Sequence, residues 1–79
     1  MTTVSGVKVL EIEQSGQLVM ITSERDHYRD LPRKDFSRLP KEGEQLIFEY
    51  SPTMCDFITG IRTKNGEIIY RSSLPELSH

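Results

Sequence analysis

Glu42-Gly43-Glu44-Gln45-Leu46-Ile47-Phe48-Glu49-Tyr50 is the stretch on which the fold turns. Gly43 sits in a polar turn, and from Gln45 the residues alternate. Leu46, Phe48 and Tyr50 share one face, while Gln45 and Glu49 share the other. Such alternation marks a half-buried β-strand. Downstream, Ser51-Pro52-Thr53-Met54 reads as a wide loop. Cys55 to Thr63 reads as a long strand, with Phe57, Thr59 and Ile61 on one face and Gly60 at a kink. Asn65-Gly66 is the strongest hairpin signal in the chain, and Glu67-Ile68-Ile69-Tyr70-Arg71 is the strand that returns from it.

Upstream the same grammar holds. In Val7-Lys8-Val9-Leu10-Glu11-Ile12-Glu13, Val7 and Val9 share one phase and Leu10 and Ile12 the other. A phase switch of this kind predicts a bulge or a bend between sheets. Gln14-Ser15-Gly16-Gln17 is a hairpin turn in which Gly16 supplies positive φ. Leu18-Val19-Met20-Ile21-Thr22 is apolar on both faces, which predicts a central strand. After the polar turn Ser23-Glu24-Arg25-Asp26, His27 to Leu31 is a short strand with Tyr28 or Leu31 inward, ended by Pro32. Residues 33–39, between Pro32 and Pro40, are the sole helix candidate, short enough to be of 3₁₀ type, and Phe36 and Leu39 would cap the open end of a sheet.

The expected fold is therefore mainly β: one small antiparallel barrel of five or six strands, SH3-like or OB-like, with one short helical turn. Residues 1–72 form the domain and residues 73–79 a C-terminal tail. Composition agrees, because the chain has no alanine and no tryptophan and is rich in β-branched residues. Closure into a barrel removes aggregation-prone edges. At 79 residues the chain buries only about 60% of its unfolded surface, a thin core without room for a deep active site.

The same inventory excludes several chemistries. One cysteine, Cys55, rules out an intrachain disulfide and a four-thiolate metal site. Cys55 and His27 are the only nucleophile–base pair available, and Asp56 beside the thiol works against thiolate formation. Glu11 and Glu13 share a strand face that reads as solvated. The scattered glycines form no phosphate-cradling loop. The expectation is a protein that is not an enzyme and holds no cofactor or metal. No apolar stretch exceeds five residues, and the start lacks a signal-peptide pattern, so the chain reads as soluble and cytoplasmic without a membrane partner.

Charge supplies the one feature that points to a role. The formal net charge is −2, without the basic excess usual for phosphate binding. Residues 25–41, however, carry six bases (Arg25, Arg29, Arg33, Lys34, Arg38, Lys41) against Asp26, Asp30 and Asp35, for a local +3. Residues 1–24 carry −2 and residues 42–79 carry −3. With Tyr28 and Phe36 interleaved, the basic segment suits an acidic protein surface or a nucleic acid. The bland alternative is a self-neutralising surface loop of alternating Arg and Asp.

The order of Val7–Glu13, Leu18–Thr22, Tyr28-Arg29-Asp30-Leu31, Leu39-Pro40 and Glu42–Tyr50 resembles small barrel modules of bacterial plasmid and phage accessory proteins, and is loosely similar to the KfrB-type plasmid module. There, two strands and a short polar element precede a Gly-Glu-x-apolar-x-apolar-x-Tyr strand. The resemblance covers residues 7–50, and the chain departs from it through Cys55–Thr63 and the Asn65-Gly66 hairpin. It implies a mobile-element accessory protein and transfers no residue roles. Taken together, the sequence points to a regulatory, accessory or inhibitory binding module. Its partner is a protein engaged through Arg25, Tyr28, Arg29, Arg33, Lys34, Phe36 and Arg38. The alternative is a nucleic-acid-binding barrel using segment 25–38, with bases on Tyr28, Phe36 or Tyr70. The oligomeric state is open.

Overall fold

The computed structural model describes residues 2–53 and 57–73. Its organising element is β1 (Thr2–Ser15), longer at both ends than the apolar run predicts. Its C-terminal half pairs with β2 (Leu18–Ser23) and its N-terminal half with β4 (Gln45–Tyr50), both antiparallel. Two irregularities let one strand serve both neighbours. The β1–β4 register shifts between Val4 and Val7, where Gly6 has φ +72°, and the β1–β2 register shifts between Val9 and Glu11. The second is the phase switch read in the sequence. Val7 and Val9 are buried, Leu10 is 51% exposed, and Ile12 returns to pack against the core.

β3 (His27–Pro32), β5 (Ile58–Thr63) and β6 (Ile68–Arg71) complete a six-stranded antiparallel sheet in the order β3-β2-β1-β4-β5-β6. The fold is mainly β, as expected, and the helix candidate is a single 3₁₀ turn, η1 (Arg33–Asp35). β2 lies between two strands but is not apolar on both sides in effect. Val19, Ile21 and Ser23 face inward, and Leu18 is 44% exposed. Phe57, Thr59 and Ile61 do not share a buried face either. The β4–β5 register shifts opposite Thr59, so Ile58 and Ile61 are buried while Phe57 and Thr59 are only half-buried. A bulge resets the inward phase, and alternation read across it fails.

The turns behave as their residues require. Ser15 pairs with Leu18 across Gly16-Gln17, and Gly16 has φ +62°, the conformation a II′ hairpin demands at its first central position. Asn65-Gly66 serves a three-residue loop. Gly66 N–H donates to Thr63 O at 2.9 Å, Thr63 N–H donates to Glu67 O at 2.8 Å, and Gly66 takes φ +95°. In the β2–β3 turn the buried Ser23 hydroxyl accepts from the Arg25 and Asp26 amides and donates to Asp26 O.

The sheet curls on itself, because Tyr28 of β3 stacks on Phe48 of β4, with two strands between them in the order, with ring centroids 3.9 Å apart and planes 9° from parallel. At one end the curl is tied across. Phe36 forms an isolated bridge with Tyr70 of β6, their rings lie 4.6 Å apart, and Ser37 N–H donates to Ile69 O at 2.9 Å. Leu39 packs against the same core, so Phe36 and Leu39 do cap the curled sheet. No ladder joins β3 to β6 among the described residues. Ser73 N–H and Oγ both donate to Asp35 Oδ2 at 3.1 Å, which ties the first residue of the expected tail to η1; residues 74–79 lie outside the described residues.

Candidate functional site

Where β3 is unpaired, a groove of about 350 Å³ opens. One wall is β3 itself with the turn before it (Asp26 to Pro32), and the other is made by Tyr50, Phe57, Ile58 and Tyr70. The β3 wall owes its shape to a bulge. Val19 pairs with Leu31 and Ile21 with Tyr28, so Arg29 and Asp30 together oppose Met20. Asp30 absorbs the extra residue at φ +60°, a conformation that Asp tolerates better than most side chains. The bulge puts Tyr28 and Leu31 both inward and leaves Arg29 and Asp30 both exposed. The choice between Tyr28 and Leu31 posed by the sequence is thus resolved as both.

The second wall is aromatic and weakly ionisable. Burial and a hydrogen bond with the Tyr28 side chain push the Tyr50 phenol well above its ordinary value of 10.0. Burial, with the charge of Asp35, raises the Tyr70 phenol too, against the opposing hydrogen bond from Ser72. Both hydroxyls are neutral hydrogen-bonding groups at physiological pH.

The seven residues predicted to contact a partner divide into distinct roles. Arg25 is exposed in the β2–β3 turn, Arg29 on the groove wall and Lys34 on η1; none of these three side chains has an ion-pair partner among the described residues. Arg33 is half-buried, and its guanidinium donates to Phe36 O at 3.3 Å. Tyr28 and Phe36 are 6% and 5% exposed and belong to the core. Neither they nor Tyr70, at 3% exposed, offers an open ring face for a stacked base.

Arg38 is spent on structure. It grips Glu44 with two bonds, Nη1 to Oε1 at 3.2 Å and Nη2 to Oε2 at 2.7 Å, and also bonds both carboxylate oxygens of Glu67 at 3.3 Å. Its Nη1 donates to Leu39 O as well. The Arg38 guanidinium is the first cause that holds the Glu44 carboxyl below the usual carboxylate range, aided by the Lys41 amide, which donates to Oε1 at 3.0 Å. Arg62 similarly pairs with Glu49 at 2.9 Å, in space that a side chain at position 60 would take, since a Cβ on Gly60 would sit 2.9 Å from Glu49 Oε1.

Sequence reasoning missed the opposite wall. Tyr50 and Phe57 read as inward residues of strands, yet they stand at the strand ends where the sheet curls open; the break in alternation around Thr59 is the one signal that would have placed them. Of the catalytic candidates, His27 is exposed with Nδ1 3.3 Å from Thr22 Oγ1, and Glu11 and Glu13 are both exposed. Cys55 and Asp56 lie outside the described residues. Among the described residues no group of three or more His, Cys, Asp or Glu gathers, and no helix is long and apolar enough to cross a membrane.

No family model, no curated protein and no solved structure matches the chain. None of these comparisons links the chain to plasmid or phage modules.

Proposed function

We propose that this domain is a non-enzymatic binding module, an accessory or regulatory protein of the cytoplasm, that holds a protein partner at the β3 groove. The observation that carries this reading is the juxtaposition of exposed Arg25, Arg29 and Lys34, unpaired among the described residues, with an open aromatic groove. An apolar, aromatic centre ringed by charge is the anatomy of a protein interface, in which a few anchors supply affinity and rim charges set the on-rate. Arg29 joins the two parts, since it belongs to the basic segment and lines the groove. The core position of Tyr28, Phe36 and Tyr70 weighs against the nucleic-acid alternative, whose stacking platforms they were to be.

A photo-crosslinking residue at position 29 of the full chain, compared with one at the exposed position 14 on β1, tests the reading. The expected result is a discrete protein adduct from position 29 only, lost when Arg25 and Lys34 are both changed to Glu. Equal adducts from both positions would sink the groove as the site. Fluorescence anisotropy with single- and double-stranded DNA and RNA, over about 20 to 200 mM salt, tests the alternative, because multi-phosphate contacts weaken by orders of magnitude over such a range. Tight binding with a steep salt slope would replace the protein partner with a nucleic acid.

A further inference from the structure

A second hollow lies behind the groove, on the outward face of β2. Its volume is also about 350 Å³, and it is lined by Glu13 and Ser15 of β1, Leu18 to Met20 of β2, and Arg29 and Asp30 of β3. The register explains why it opens on the other face. Glu13 pairs with Met20 and Ser15 with Leu18, out of phase with the buried Val19 and Ile21, whereas Tyr28 and Leu31 of the groove wall face inward. Arg29 and Asp30 line both hollows. They do so because the bulge sets two exposed residues opposite Met20 on the edge strand of the sheet. β3 is thus a ridge with a hollow on either side.

The second hollow is apolar at its centre. Leu18 is 44% exposed and Met20 half-buried. A lone exposed leucine is ordinary, but this one stands in a concave setting beside a methionine, whose flexible thioether adapts to varied contacts. Charge gives the occupant its chemistry. The two hollows together are lined by Glu13, Asp26 and Asp30 against Arg29, a net −2 with His27 neutral, and none of these four has an ion-pair partner among the described residues. Arg25 beside Tyr50 and Asp35 beside Tyr70, at the margins, cancel each other. A second copy of the chain would set like charges against each other in a twofold contact. The open edge of β3 is also a poor template for strand addition. Pro32 lacks an N–H, and the Arg29-Asp30 bulge with Asp30 at φ +60° breaks the ladder geometry. The occupant is therefore a different protein, held by its side chains.

We propose that one partner protein straddles β3, placing an apolar side chain in each hollow and a stretch of net positive charge across the ridge between them. This rests on the binding role of the groove proposed above and extends its footprint to Leu18 and Met20. A sheet with its side chains is about 10 Å thick, and extended chain covers about 3.3 to 3.6 Å per residue, so the two apolar anchors need about two residues between them. Arg25 and Lys34 line neither hollow. They meet acidic flanks of the partner, and the change of sign from centre to margin sets the register of the contact.

The test selects binders of the purified full chain from a phage-displayed library of random linear peptides and maps a selected peptide on ¹⁵N-labelled chain by NMR. The expected peptides carry two apolar residues at that spacing with Lys or Arg between them, and they shift the amides of Leu18 and Met20 as well as those of Tyr50 and Ile58. Leu18→Ser should weaken the peptide by about tenfold or more, as for an interface anchor. Leu10→Ser, at a residue that is 51% exposed but lines neither hollow, should change affinity by less than about twofold. Asp30→Asn keeps the shape and tolerates the same positive φ, and it should cost about two- to fivefold and flatten the salt dependence. Shifts confined to Tyr50 and Ile58, with Leu18→Ser neutral, would overturn the straddling and leave the groove reading intact. Shifts confined to Leu18 and Met20 would overturn both. Selected peptides without a basic residue between the anchors, or no enrichment, would also overturn the straddling. So would shifts at Leu18 and Met20 on concentrating the chain alone, because that result assigns the second hollow to another copy. The adduct at position 29 needs no contact at Leu18, so the groove is decided separately.

Discussion

The two ends of the curled sheet are made from neighbouring stretches of the same basic segment and come out opposite. At the tied end, Phe36 and Ser37 cross to β6 and Arg38 locks the turn at Glu44 and the hairpin at Glu67. At the open end, Arg25 and Arg29 stand beside an unpaired strand edge with no acid on them among the described residues. An arginine with three acceptors fixed around it is a structural part, and an arginine on the lip of a groove is available. Residue type and local charge are the same in both places. What differs is whether the chain delivers an acidic partner from elsewhere in the fold.

The contrast can be broken hardest at the tied end. Phe36→Ala removes the ring that packs on Tyr70 and should cost about 3 to 5 kcal/mol, enough to unfold much of so small a domain; urea titration followed by far-UV circular dichroism checks it. Next comes Arg38→Ala, which leaves Glu44 and Glu67 facing each other without their cation. Because the guanidinium is 33% exposed, the loss should be only about 1 to 2 kcal/mol, read as a lower urea midpoint with an unchanged slope.

The pH dependence of the same pair sharpens the comparison. Glu44 is held below its ordinary value of 4.5, so its contribution is fully present above that pH and is lost as pH falls through the lower, folded-state value. Glu44→Gln should flatten this acid limb of the stability profile, and thermal melts between pH 3 and pH 6 would show a parallel decline in both proteins if Glu44 were not responsible. The smallest effect belongs to the open end. Arg29→Ala should change stability by less than about 0.5 kcal/mol, the range expected of an exposed side chain without partners. A larger loss in urea titration would mean that Arg29 is structural after all.

The sequence was most readable where one residue suffices to define a backbone state. Gly16 marked the β1–β2 hairpin and Asn65-Gly66 the β5–β6 hairpin, and the Val9–Leu10 phase switch marked a bulge. It was least readable where a bulge changed which residues face inward. Arg29-Asp30 uses Asp in a conformation where glycine would have announced it, and the kink read at Gly60, beside the shift at Thr59, did not say which side chains turn inward. The basic segment was visible from charge alone. Which of its members were free was not, because Arg38 is claimed by Glu44 and Glu67 through the folding of the β4–β6 side, and no local pattern in residues 33–39 encodes that. Tyr28 and Phe36 illustrate the same point, since aromatic residues between arginines look like contact residues until packing takes them.

β1 has one more consequence. The molecule is two three-stranded meanders, β1–β2–β3 and β4–β5–β6, and within each the strands are consecutive and joined by short turns, apart from the Cys55-containing connection. Among the described residues β1–β4, with pairs such as Val7 with Leu46, is the one ladder that joins the halves, beside the Tyr28–Phe48 stack. Folding then has one expensive loop closure and several cheap ones. Its rate should respond to Val7→Ala and Leu46→Ala, which weaken that ladder, far more than to changes in the β1–β2 or β5–β6 turns, and each meander has time to form before the two must find each other.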